Sequence, residues 1–94
     1  MQGKRVRTAH LEVRYIASLL RHPRAGIIVP RYSHSAVERN RVKRRLREIV
    51  RLDVLHALPN VDVVVRALPS AYDARAEELR EQCMRACGRI EAVT

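Results

Sequence analysis

Val42, Leu46, Ile49 and Val50 are the only apolar residues in a 13-residue run, Arg39 to Arg51, that otherwise holds seven cations, one acid and one amide. At about 100° per residue these four side chains fall on one narrow arc of a helix, and Arg41, Lys43, Arg44, Arg45, Arg47 and Arg51 spread over the opposite arc. The stretch therefore predicts an amphipathic helix with one side on a core and a dense cationic surface on the other. Solvated helix faces usually interleave Glu with Lys or Arg at i,i+4, and here only Glu48 is placed to do so. Like charges crowded this closely repel, which points to a partner that neutralises them. Arginine outnumbers lysine six to one in the run, and its planar fork suits phosphate oxygens while its flat face suits bases. A polyanion, nucleic acid above all, is the partner this pattern implies.

The excess charge of +9 is unevenly distributed. Residues 1 to 38 carry +5 and residues 39 to 51 carry +6, whereas residues 52 to 94 carry −2. A polyanion should meet the first two segments and leave the last third to structural work. Ninety-four residues at 47 % hydrophobic predict one domain, residues 1–94, with a single modest core. No apolar run approaches the roughly 20 residues of a membrane span, and no signal segment follows Met1, so a soluble, cytoplasmic protein without a membrane partner is expected. Cys83 and Cys87 share one helix face without the second pair that a tetrahedral metal site needs, and read as small core residues.

In chain order, Gln2 to Arg7 is at best a short, charged edge strand. From Thr8 the pattern alternates, with Ala9, Leu11, Val13 and Tyr15 on one face, which predicts a strand with one side on the core. His22-Pro23 marks a turn. Gly26 to Val29 then reads as a well buried strand ended by Pro30, expected to pair antiparallel with the preceding one. Ser33 or Ser35 is placed to cap the basic helix, Ser35 with Glu38 having capping-box spacing, and the link with Arg31 plus the first helical turn could hold a phosphate. The apolar register runs on to Leu58 and stops at Pro59-Asn60. Val61 to Leu68 is rich in β-branched residues, a strand that closes a β-α-β unit with parallel pairing. Ser70 or Asp73 is placed to cap a last helix, in which Ala76, Leu79, Cys83, Ala86, Cys87 and Ile90 keep three-four spacing up to a stop near Gly88. The outline is β-β-β-α-β-α, an α+β two-layer sandwich of about four strands with helices on the sheet.

Arg39-Asn40-Arg41-Val42-Lys43-Arg44, continuing to Arg47-Glu48, resembles the signature helix of the bacterial ribonuclease P protein subunit. Arg24 to Val29 resembles that family's strand before the helix, Val61 to Ala67 its following strand, and Asp73 to Leu79 the start of its last helix. The resemblance covers roughly residues 8 to 90. It implies a left-handed β-α-β crossover, an exception to the usual hand. It also implies a place beside a catalytic RNA that removes the 5′ leader of precursor tRNA. Arg39, Asn40, Arg41, Lys43, Arg44 and Arg47 would lie against that RNA, joined on charge by Arg45, Arg51 and Arg31. Leu11, Val13 and Tyr15 would be the nearest candidates for a groove receiving the leader, and the protein would act as a monomer in the holoenzyme.

The chain departs from the family in three ways. The first helix is expected to be missing, the link carries Arg31, Tyr32 and His34 where the family has lysines and a glycine, and without that helix one sheet face is expected to be uncovered. The usual N-terminal helix with its aromatic residues is expected to have no counterpart, and the chain contains no Phe, so leader binding is expected to be weak or rearranged. His34 stands where the family carries glycine, and a positive φ there would strain it. The residues offer no Ser-His-Asp or Cys-His set and no paired carboxylates near the basic stretch. This fits chemistry carried by the RNA, with Mg²⁺ bound mainly by that RNA as the implied cofactor. On this reading Arg39→Ala with Arg44→Ala weakens RNA binding without moving the melting curve. Two alternatives from other classes stand beside it. A DNA-binding basic helix would need a dimerisation heptad, and a ribosome-associated structural protein would use the same charge pattern.

Overall fold

The computed structural model describes residues 3–90 and shows the expected element order. Strands β1 (Lys4–Arg7), β2 (Leu11–Ala17) and β3 (Arg24–Ile28) precede helix α1 (Ala36–Ile49), followed by β4 (Val61–Ala67) and α2 (Ala76–Gly88). The four strands form one sheet in the order β1-β2-β4-β3. Both helices lie on one side of it, giving two layers.

Helix α1 starts as its sequence dictates. Ser35 Oγ accepts the Glu38 N–H at 3.1 Å and the Glu38 carboxylate accepts the Ser35 N–H at 3.1 Å, so two otherwise orphaned donors are satisfied. Past Ile49 the chain keeps turning, first with wider π spacing over Val50–Val54 and then in a tight turn at Leu55–Ala57. Val50, Val54 and Leu58 thereby stay buried. Neither Ser70 nor Asp73 caps α2, because Pro69–Tyr72 forms its own 3₁₀ turn, closed by the Asp73 N–H donating to the Ser70 carbonyl. The helix begins later, with Glu78 accepting from the Arg75 N–H at 3.3 Å.

Two expectations about the strands are corrected by the sheet. The strand after His22-Pro23 does not pair with β2: β4 lies between them, antiparallel to β2 through Val13↔Val65 and parallel to β3 through Ile27↔Val65. A short turn joins β2 to β3 in sequence, but β4 brings three core valines that only a central position can bury on the helix side. Nor is β3 well buried. As an edge strand it exposes Arg24, Gly26 and Ile28 and only half-buries Ala25 and Ile27. Arg24 fastens it to β4 by two hydrogen bonds to Asp62, at 3.0 and 2.8 Å.

Period two sorts the side chains cleanly. Leu11, Val13 and Tyr15 of β2 and Val61, Val63, Val65 and Ala67 of β4 face the helices, and all are buried. They meet Val42, Leu46 and Ile49 of α1 and Leu79, Cys83, Ala86 and Cys87 of α2 in one core. The alternate residues point to the other side of the sheet: Arg5 and Arg7, Glu12, Arg14 and Ile16, Asp62, Val64 and Arg66, Arg24, Gly26 and Ile28. No element covers that side among the described residues. Glu12 is nevertheless 8 % exposed, since Arg14 bonds it at 2.9 Å and Arg5 approaches to 3.9 Å.

Candidate nucleic-acid interface

Burial of Val42, Leu46 and Ile49 fixes the rotation of α1 and with it the direction of every cation. Relative to Val42, at about 100° per residue, Lys43, Arg47, Asn40, Arg51 and Arg44 fall between about 100° and 200°. Arg41 and Arg45 lie on the opposite flank with Glu48. The helix thus presents two unequal cationic surfaces rather than one uniform fan. On the larger, Asn40, Lys43, Arg44 and Arg47 surround a recess of about 260 Å³. Next to it, Lys43, Arg47 and Arg51 rim a groove of about 440 Å³ whose floor is Ala25 and Ile27 of β3 with Val50 and Leu55. Lys43 and Arg47 border both hollows, so the track runs from the helix face to the sheet edge. Its apolar floor has no signal in the sequence, because it exists only where β3 is an edge strand beside the continuation of α1.

Arg45 faces elsewhere, into a hollow with Glu48, Asp53, Glu77 and Arg80 where acids are plentiful. Arg31 is exposed in the link before the helix. None of Arg31, Arg39, Arg41, Lys43, Arg44, Arg45, Arg47 or Arg51 forms an ion pair among the described residues, whereas Arg5, Arg14, Arg24, Arg80 and Arg85 do. The cations gathered on α1 are not the ones used to neutralise the chain's own acids.

Arg39 has a different employment from its neighbours. Its Nε donates to the Val29 carbonyl at 2.8 Å and the residue is half-buried. At about 60° from Val42 it sits on the margin of the packed side, so its guanidinium ties the helix start to the end of β3.

The link Arg31-Tyr32-Ser33-His34-Ser35 is held by side chains from far along the sequence. Positive φ angles occur at Tyr32 (47°) and Ser33 (75°), not at His34, so the strain expected at the histidine lies one and two residues earlier. Tyr32 is kept there by its hydroxyl, which donates to the Ala67 carbonyl at 3.0 Å. His34 Nδ1 lies 2.9 Å from a Glu38 carboxylate oxygen. The hydrogen bonds from His34 and from Ser35 hold the Glu38 carboxyl down to about 2, so it is anionic throughout the physiological range.

Leu11, Val13 and Tyr15 are not groove residues. They are 0, 0 and 6 % exposed and form the core beneath the helices. Alternation along β2 places Glu12, Arg14 and Ile16 on the uncovered side instead, where Val64 and Ile28 are 36 and 50 % exposed. The cysteines are core residues as expected: Cys83 is fully buried, and its hydrogen bond with Cys87 together with burial pushes its thiol up, keeping it protonated. The dimeric DNA-binding arm is also excluded as a reading of α1, since the apolar stripe it would use as a dimer seam is spent inside this chain's own core. No helix among the described residues is long and apolar enough to cross a membrane.

Comparison with known proteins follows the same lines. The family model described as "Ribonuclease P" matches residues 1–91. The ribonuclease P protein component of Syntrophobacter fumaroxidans is 47 % identical over 70 residues, covering 73 % of this chain and 59 % of that protein. That of Micrococcus luteus is 49 % identical over 71 residues, covering 71 % of this chain and 53 % of its own length. The chain thus spans little more than half the length of these curated relatives. The solved structure of the RNase P protein from Thermotoga maritima superposes with a TM-score of 0.86 at 26 % identity, over 96 % of this chain and 86 % of that one.

Proposed function

The chain belongs to the ribonuclease P protein family, and from that membership we propose that it is the RNA-binding protein component of an endonuclease that removes the 5′ leader of precursor tRNA. The observation that carries this reading is the set of unpaired cations on α1. A surface held rigid by Val42, Leu46 and Ile49, and left without internal acids, is built to exchange counterions for phosphates. Asn40, Lys43, Arg44, Arg47 and Arg51 form its main contact with a catalytic RNA. Arg41 and Arg45 make a second, weaker flank, and Arg31 extends the charge into the link.

The leader lies, on this reading, across the uncovered side of the sheet. Ile16, Val64 and Ile28 give that side an apolar centre, and Arg5, Arg7, Arg14, Arg24 and Arg66 surround it. Sheet faces bind single strands by stacking bases on aromatic rings and by charge contact with phosphates; here the aliphatic Ile16, Val64 and Ile28 would offer apolar contact in place of rings. The protein supplies binding and positioning, and the RNA carries the bond cleavage. Magnesium belongs with the RNA: the α1 recess offers one amide among three cations, a set that repels a hard divalent ion that wants oxygen ligands. One copy of the protein per RNA, in the cytoplasm, completes the reading.

The test is reconstitution. Added to a bacterial ribonuclease P RNA at low Mg²⁺, the protein is expected to raise the rate of precursor-tRNA cleavage, and more so as the leader lengthens. Binding to ribosomal RNA with no effect on that cleavage would favour the ribosome-associated alternative instead.

A further inference from the structure

We propose that His34, held flat against Tyr72, is a stacking platform for one unpaired nucleobase of the bound RNA at the start of α1. This rests on the RNA-binding reading above and adds a nucleotide subsite to it. The imidazole and phenol rings lie 3.8 Å apart between centroids and within 3° of parallel. Tyr72 is fixed from behind, its hydroxyl donating to the Pro30 carbonyl at 2.5 Å and its ring meeting Tyr32 edge-on at 6.4 Å and 87°. His34 is fixed in turn through Nδ1 by Glu38. Tyr72 covers one face of the imidazole, while 30 % of the His34 side chain stays open to solvent. A flat π surface that is already immobilised loses little entropy when a base lands on it, which is the condition for an effective stack.

Aromatic surface is scarce in this chain, which has three Tyr and neither Phe nor Trp. Tyr15 is in the core, and the hydroxyls of Tyr32 and Tyr72 are both committed to backbone carbonyls. Among the other histidines, His10 has its ring nitrogens on Ser70 and Glu78, and His22 and His56 have no aromatic ring behind them among the described residues. The His34–Tyr72 pair is therefore where a base finds a prepared ring. The nearby charges suit a base rather than a phosphate at that point. The Glu38 carboxylate is anionic at the helix cap, so phosphates are turned outward toward exposed Arg31 and Asn40, and the uncharged base is left over the imidazole.

The experiment uses a single-stranded RNA oligonucleotide carrying one 2-aminopurine, whose emission falls when it stacks and is undisturbed by tryptophan in a chain that has none. The parent protein is expected to bind and quench it. His34→Ala and His34→Leu, the latter keeping bulk against Tyr72, should lose the quench and weaken binding by about 5- to 150-fold, the worth of one stacked base. The log-log salt slope should not change, since no phosphate contact is removed. His34→Phe should restore both affinity and quench. Lys43→Ala with Arg44→Ala should do the opposite, flattening the slope but quenching at saturation. Parent-like binding and quench by His34→Leu, or failure of His34→Phe to restore them, overturns the platform alone. A parent protein that binds no RNA overturns the RNA-binding reading together with the platform.

Discussion

Arg39 Nε donates to the Val29 carbonyl at 2.8 Å, so the first arginine of the basic run is a clasp between α1 and the end of β3. This separates Arg39 from Arg44, which the sequence reading treats alike. Arg39→Ala is expected to lose about 1–2 kcal/mol, in the range for a half-buried hydrogen bond from a charged donor. For a domain of this size each kcal/mol corresponds to about 4–8 °C in the melting temperature. Arg44→Ala, fully on the exposed side, should leave the melting temperature within about 2 °C of the parent. Thermal melts followed by circular dichroism would show this, and equal shifts for both variants would contradict the clasp. The Arg39→Ala, Arg44→Ala double variant should therefore melt below the parent, through the loss of the Arg39 bond to Val29.

The two flanks of α1 should differ in their salt dependence. Removing Lys43, Arg44 and Arg47 together is expected to reduce the slope of log K against log salt by about 2–3, at about 0.7–0.9 per lost phosphate contact. Arg41→Ala with Arg45→Ala should change it by about 1 or less, because that flank already faces Glu48 and the acids near α2. Filter binding to the catalytic RNA across a salt series measures both, and equal slopes per cation removed would refute the division.

Glu38 makes stability pH dependent in a definite direction. Its carboxyl is lowered from 4.5 to about 2 in the folded protein by its bonds with His34 and Ser35. The stabilisation is therefore complete above the unfolded value and is lost as pH falls from about 4.5 through about 2. Glu38→Gln should have a lower melting temperature than the parent at pH 7, and the gap should close as the pH approaches 2. A gap that stays constant over that window would show that the carboxylate charge is irrelevant to the cap.

Leu46 is 0 % exposed on the buried stripe of α1. Leu46→Ala is expected to destabilise by about 2–5 kcal/mol, whereas Val37→Ala, at a site 69 % exposed, should be within about 0.5 kcal/mol of the parent. Urea titration distinguishes them. Because the cations ride on this helix, Leu46→Ala should also weaken RNA binding at temperatures where the fold is partly lost, and not below.

The uncovered sheet side makes a prediction for leader dependence. Arg14→Ala with Arg66→Ala should reduce the advantage of long over short leaders in the low-Mg²⁺ cleavage assay while sparing affinity for the catalytic RNA. An unchanged leader dependence would remove the sheet from the path of the leader.

Local pattern was enough to read much of this protein. The spacing of Val42, Leu46, Ile49 and Val50 specifies α1 and its buried side, Ser35 and Glu38 specify where it starts, and strict alternation in β2 and β4 specifies which side chains go inward. These are properties of a segment by itself, set by helical and strand geometry within a few residues. Which strands pair is a different matter, because hydrogen bonding between strands carries no sequence label. Only assembly puts β4 between β2 and β3, and that single placement makes β3 an edge and opens the groove floored by Ala25 and Ile27. Contacts between distant residues have the same standing. The Tyr32, His34 and Tyr72 rings, and the diversion of Arg39 to Val29, come about when the chain closes on itself, since sequence periodicity has no information about segments that meet only in three dimensions.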